Sequence, residues 1–272
     1  MELTDASIEM TSWIASSIPK KKVAPTPSSY FLQNEGTFAT RTPKLMFVSA
    51  LYELTPGLTD ALREMPWPTL IFTESKLADT IAAAREGMET LTRVVVLERN
   101  EWISTTKMVS GFWTQQVKQD PEIRLGRTAE DLQYMFERKE FMKKAVELNP
   151  FGSTDFVWVH PSHLSSIAKI DSLNPTPRIP VDRLLVANPE AFTADDIASS
   201  YFRGKQRVEN GILIGPGRAW NDFHKLYDTV MVEKLKTGGF IGDDAVMLHY
   251  MIIHKPNQFS LVKTTSLTSI LT

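Results

Sequence analysis

The chain of 272 residues carries 30 Lys plus Arg against 32 Asp plus Glu, with five His, no Cys and a net charge of −2. That balance excludes an electrostatic nucleic-acid binder, which needs a basic excess. The empty cysteine column excludes a disulfide framework, a Cys-ligated zinc, an iron–sulfur cluster and a thiol nucleophile.

Residues 1–43 read as an arm or linker. Ile8, Met10, Trp13 and Ile14 fit one short amphipathic helix, and Pro19-Lys20-Lys21-Lys22 and Pro25-Thr26-Pro27 break it. Glu2, Asp5 and Glu9 precede any apolar stretch, which argues against a secretory signal. No window approaches the ~18 apolar residues of a membrane span. A cytoplasmic location is the expectation.

From residue 44 onward, strands alternate with helices. Residues 44–50 (KLMFVSA) predict a strand and 58–65 a short helix; 68–73 (PTLIFT) predict a second strand and 76–88 a helix. Residues 93–97 (RVVVL) predict a third strand, followed by one helix somewhere within 102–118. Thr128, with Asp131 three residues on, forms a capping-box arrangement. Leu132, Met135, Phe136, Met142 and Val146 then recur at helical spacing until Asn149-Pro150 stops the helix. Residues 155–159 (DFVWV) predict a strand buried on both sides.

The second half is less regular. Residues 183–187 and 211–214 predict strands, and Thr193 with Asp196 starts a capped helix. Residues 219–235 read as a helix ended by Gly238-Gly239, and a last helix runs from Asp243 or Asp244 to about His254. Residues 259–263 suit a final strand, and 264–272, rich in Ser and Thr, a loose tail. The alternation implies an α/β fold with a twisted, mostly parallel sheet covered on both faces. Ligands in such folds bind beyond the carboxyl ends of the strands, where strand order reverses. Residues 50–53, 73–74, 98–99 and 160–163 fall at those ends.

Familiar signatures are missing. There is no phosphate loop, no dinucleotide-binding glycine motif, no nucleophile elbow and no H-E-x-x-H. By residue chemistry alone His160 and His163 can share a metal or be polar surface. Gly215-Pro216-Gly217 reads as a turn, and Asp243-Asp244 as a helix cap favoured by the helix dipole.

The stretch FERKEFMKKAVELNPFGSTDFVWVHPSH resembles one in the HtrL/YibB–WlaTC group of glycosyltransferases. That group carries a lysine-bearing helix, then Asn-Pro-Phe, then an aromatic strand ending in Trp-x-Asp. The corresponding residues here are Lys139, Asn149-Pro150-Phe151 and Trp158-Val159-His160. ALYEL and PTLIFTE look like the group's opening, and ENGILIGPGRAW with GGFIGDDAVMLHYMI like its closing half. The resemblance covers roughly residues 44–263. It implies a single GT-A-like (Rossmann-like) domain and membership of a group tied to bacterial surface polysaccharide synthesis and to large algal viruses.

The resemblance also implies roles. Ala50, Leu51 and Tyr52 would border a uracil base, with Tyr52 as a stacking face, and Thr73 and Glu74 would meet the ribose. Lys139 would pair with the diphosphate; Trp158 and His160 would lie near it; Asn210 and Gly211 would line the sugar or acceptor pocket, with Trp220 either a stacking surface or a core anchor. The chain departs from the pattern at His160, where an aspartate is expected for Mn²⁺ or Mg²⁺. Either His160 and His163 bind the ion, or the diphosphate is met without metal by cations such as Lys139, Arg203, Lys205 or Arg207. Asp243 or Asp244 is the expected general base, since a helix amino terminus favours the ionised carboxylate.

The expected activity is therefore transfer of a sugar from a nucleotide donor, a UDP-sugar (UDP-xylose among them), to a glycan or glycoprotein hydroxyl, with inversion. The competing expectation is a non-catalytic nucleotide- or carbohydrate-binding protein on a decayed transferase scaffold. Oligomeric state is left open.

Overall fold

The computed structural model describes residues 43–173, 179–193, 196 and 207–271, and the apolar runs in it become strands of one sheet. β1 (Leu45–Leu51) is buried at every position. Thr55 then caps α1 (Pro56–Glu64) by accepting from the Leu58 amide, and Pro56 supplies a preset first turn. β2 (Thr69–Thr73) is equally buried and leads into α2 (Ser75–Ala84). β3 (Thr92–Val96) forms a half-exposed edge.

The single helix expected within 102–118 is two: α3 (Ile103–Thr106) and α4 (Phe112–Gln119). Gly111, at φ 80°, adopts the left-handed conformation between them, which a continuous right-handed helix cannot contain. α5 (Ala129–Leu148) opens on the expected Thr128–Asp131 capping box and ends at Asn149, φ 32°. β4 (Asp155–Val159) is buried throughout, and α6 (Leu164–Ala168) follows. Next come β5 (Leu184–Ala187), β6 (Glu209–Pro216), α7 (Gly217–Lys236), α8 (Asp244–His254), β7 (Phe259–Val262) and α9 (Thr268–Leu271). Thr193 and Asp196 exchange the capping-box hydrogen bonds read from the sequence, although the helix they would start lies outside the described residues. The arm at residues 1–42 also lies outside them.

The sheet order is β3-β2-β1-β4-β6-β5-β7, and β6 alone among these strands runs against the rest. The chain builds outward from β1 through β2 to β3, then returns to place β4 on the other side of β1. The order therefore reverses between β1 and β4, and their carboxyl ends border the crevice where such sheets bind ligands. Because β6 is reversed, with Val159 opposite Ile212, its amino end brings Glu209, Asn210 and Gly211 beside the carboxyl end of β4.

Alternation along each strand feeds two cores. Met46, Val48, Ala50, Phe72 and Trp158 pack with α5, α7 and α8 on one face, and Phe47, Leu51, Ile71 and Val159 with α1 and α6 on the other. The second core also contains Leu267 and Leu271, both fully buried, so the expected loose tail is a packed element. Burying a leucine is worth roughly 1.5–3 kcal/mol, enough to hold so short a helix in place.

Candidate active site at the carboxyl ends of β1 and β4

Side chains reach across the strand ends and tie them together. The Tyr134 hydroxyl donates to the Ala50 carbonyl at 2.9 Å, Thr73 Oγ1 to the Leu51 carbonyl at 2.6 Å, and Ser49 Oγ to the Val159 carbonyl at 2.8 Å. The His160 amide donates to the Gly211 carbonyl at 2.7 Å. Ala50, Leu51 and Thr73 are thus buried frame, able to meet a ligand only through backbone.

Tyr52 offers no open stacking face, contrary to expectation. It is 5 % exposed, donates its hydroxyl to the Leu97 carbonyl at 2.8 Å and accepts from Trp102 Nε1 at 3.0 Å. Burial pushes its phenol well above the ordinary range. Glu74, buried at the end of β2, lies 2.6 Å from Lys76 Nζ and 3.2 Å from Arg99 Nε. Arg99 in turn pairs with Glu130 and lies over the rings of Tyr52 and Trp102.

A buried polar cluster gathers around Asp244. Arg138, buried on α5, places Nη1 3.0 Å from Asp244 Oδ2 and donates to the Asn210 carbonyl at 3.0 Å. The Asn210 amide donates to Asp244 Oδ1. Burial raises the Asp244 carboxyl, Arg138 opposes the rise, and the group ends at about 6. Asp243 is differently employed. Its Oδ1 caps α8 by accepting from the Ala245 and Val246 amides at 2.7 and 3.0 Å, and its Oδ2 pairs with Arg127. Arg127 also grips Asp120 with two hydrogen bonds at 2.7 and 2.8 Å. One aspartate caps and braces; the other faces the polar cluster.

His160 and His163 stand on the turn Pro161–His163 and its cap. His160 Nδ1 lies 2.7 Å from Ser162 Oγ, and burial, with the charges of His163 and Arg138, pushes its imidazole down to about 4. It is neutral at physiological pH. His163 Nε2 lies 3.5 Å from Glu209 Oε1. Among the described residues no three His, Asp or Glu side chains gather to hold a metal ion. One histidine is turned to Ser162 and the other to Glu209.

Two expected site residues, Lys139 and Trp158, lie elsewhere, and Trp220 takes the core-anchor reading of its two. Lys139 points into the α5–α7 seam, where its ammonium pairs with Glu140 and lies 2.9 Å from Asp228, so it is spent on scaffold carboxylates. Trp158 is 1 % exposed and stacks on Phe141. Trp220 is a core anchor, donating to the Phe156 carbonyl at 3.1 Å. Of the alternative cations, Arg207 is bound to Glu190 and Asp196, while Arg203 and Lys205 lie outside the described residues.

The residues missed are Tyr134, Arg138, Arg127 and Glu209. Tyr134 and Arg138 are four apart and share a helix face, but their spacing does not say which way that face turns. Glu209 directly precedes the Asn210-Gly211 pair. A separate recess of about 520 Å³, lined by Asn149, Ser153, Thr154, Gly217, Arg218 and Lys225 among others, opens at the opposite end of β4 and contains none of the expected site residues.

The mixed, mostly parallel seven-stranded sheet, flanked by helices in a single domain, is an α/β fold. No protein-family model matches the chain, and no curated protein matches it in sequence. Among solved structures it is similar to mouse xyloside xylosyltransferase 1 in its apo form, with a TM-score of 0.42 and 8% identity over 81% of this chain and 84% of that chain. That is a distant likeness of fold. Among the described residues, no helix is long and apolar enough to cross a membrane.

Proposed function

We propose that this protein transfers a sugar from a nucleotide donor, a UDP-sugar, to a glycan hydroxyl with inversion, using Asp244 as the general base. One observation carries the reading: a buried carboxylate, with its pKa raised to about 6, is held by Arg138 and by Asn210, whose strand end lies beside the carboxyl end of β4. Strongly shifted carboxylates in such crevices mark functional sites. A base with a pKa near the working pH is ionised when needed and still accepts a proton readily.

In this reading Asp244 takes the proton of the acceptor hydroxyl as that oxygen attacks the anomeric carbon. The bond from that carbon to the donor phosphate oxygen breaks, and its electron pair leaves with the nucleoside diphosphate. Asn210 and Arg138 hold the carboxylate in place; an ionised oxygen can accept more than one hydrogen bond, so Oδ1 keeps room for the acceptor. His160, a neutral imidazole, meets the phosphate or the sugar. Glu74 accepts from ribose hydroxyls, and the backbone of Ala50–Tyr52 borders the base.

The test is a panel of UDP- and GDP-sugars, read by calorimetry and by release of free UDP or GDP, with and without EDTA. Binding and turnover of a UDP-sugar that survive EDTA are expected. Binding without any turnover supports the non-catalytic alternative, and the absence of any binding contradicts the proposal.

A further inference from the structure

A second polar niche lies beside the Asp244 cluster. The reversal of β6 sets Glu209 next to the turn that carries His163. Glu209 is 9 % exposed; its Oε1 accepts from the Gly211 amide at 2.7 Å and faces His163 Nε2. Its Oε2 is buried with no hydrogen-bond partner among the described residues. Buried polar atoms are almost always matched, so an orphaned carboxylate oxygen calls for a donor from outside. Gly211 makes the arrangement possible. A Cβ there would overlap the His163 ring and lie 2.8 Å from Glu209 Oε1. Since Gly211 is not among the positive-φ residues, space rather than backbone conformation demands the glycine.

The chemistry narrows the ligand. A phosphate would be repelled by an unmatched carboxylate oxygen, and an apolar group would leave it unmatched. A hard cation would want more oxygen ligands than one carboxylate supplies. A neutral hydroxyl fits. We propose that Glu209, with His163 beside it, binds a hydroxyl of the sugar carried by the nucleotide donor and so selects the donor sugar. The inference rests on the transferase reading. The neighbouring residues of the same strand end, Asn210 and Gly211, already touch Asp244 and His160, so the niche adjoins the transfer site.

Calorimetry with UDP, UDP-glucose and UDP-xylose tests it. The wild-type protein is expected to bind at least one UDP-sugar more tightly than UDP. Glu209→Ala should lower affinity for that UDP-sugar about tenfold or more while leaving UDP affinity within about twofold. His163→Asn should do the same more weakly, and Gly211→Ala should act like Glu209→Ala by displacing both side chains. Three results overturn the inference alone: no gain from the sugar in the wild type, an undiminished gain in both Glu209→Ala and His163→Asn, or a parallel loss of UDP binding, which marks a structural role. A wild-type protein that binds neither UDP nor a UDP-sugar contradicts the transferase reading itself, and the niche falls with it.

Discussion

Arg138 and Lys139 are sequence neighbours on one helix, both almost wholly buried and both paired with carboxylates, yet they serve opposite ends of the molecule's chemistry. Adjacent helical residues point about 100° apart. Arg138 therefore turns to the strand ends and Asp244, while Lys139 turns to α7. In the Lys139 seam, burial would raise Glu140, but a hydrogen bond from His224 at 2.9 Å and the Lys139 charge hold it at about 2. In the crevice, burial outweighs Arg138 and Asp244 rises to about 6. Buried charges that are fully matched stiffen a scaffold; a buried carboxylate left under-compensated is available for proton transfer.

The contrast has an acid-side consequence. Glu140, with its depressed pKa, contributes stability above its unfolded value of ~4.3, and that contribution is lost as pH falls toward about 2. Asp244 has the reverse sign: its protonation as pH falls through about 6 favours the folded state.

The largest expected effect comes from breaking the seam. Lys139→Met leaves Glu140 and Asp228 without their cation and should cost about 3–5 kcal/mol in chemical denaturation, with donor affinity per folded molecule unchanged. A donor affinity that collapses while stability holds would instead return Lys139 to the diphosphate. Next is Arg138→Gln, which removes the cation opposing the rise at Asp244. The acid limb of the pH–rate profile should then move up by about 1–3 pH units, with turnover recovering at higher pH. A limb that stays in place would separate Arg138 from the reacting carboxylate. The smallest effect belongs to Asp243→Asn. Asparagine caps a helix as well as aspartate, so only the Arg127 pair is lost, and turnover should stay within about threefold of wild type, against the ~10²–10⁴-fold typical of a lost general base.

Much of the sheet was legible because its strands are uninterrupted apolar runs between recognisable caps, as at 44–50, 68–73 and 155–159. The failures have physical causes. The break at Gly111 depends on a positive φ that periodicity does not reveal. The packed end of the chain was hidden because Leu267 and Leu271 are diluted by Ser and Thr, yet their spacing of four places both on one face. At the candidate site, the places of Asp244, Asn210 and His160 at a helix start and at strand ends were legible in the sequence. Arg138 was not, because α5 is buried on more than one side, carrying Phe136, Arg138, Lys139 and Phe141 all inside, and spacing alone cannot say which side faces the crevice. Glu209 became visible only when the reversed β6 brought it to His163.

The central claim is that Asp244 is the base of a nucleotide-sugar transfer, and it is tested most directly by UDP release from the bound UDP-sugar as a function of pH in the wild type and in Asp244→Asn. The account predicts a wild-type acid limb with a midpoint near 6 and, in Asp244→Asn, a rate lower by about 10²–10⁴-fold with that limb gone, while donor affinity is kept. Full turnover in Asp244→Asn, or an unchanged acid limb, would contradict it.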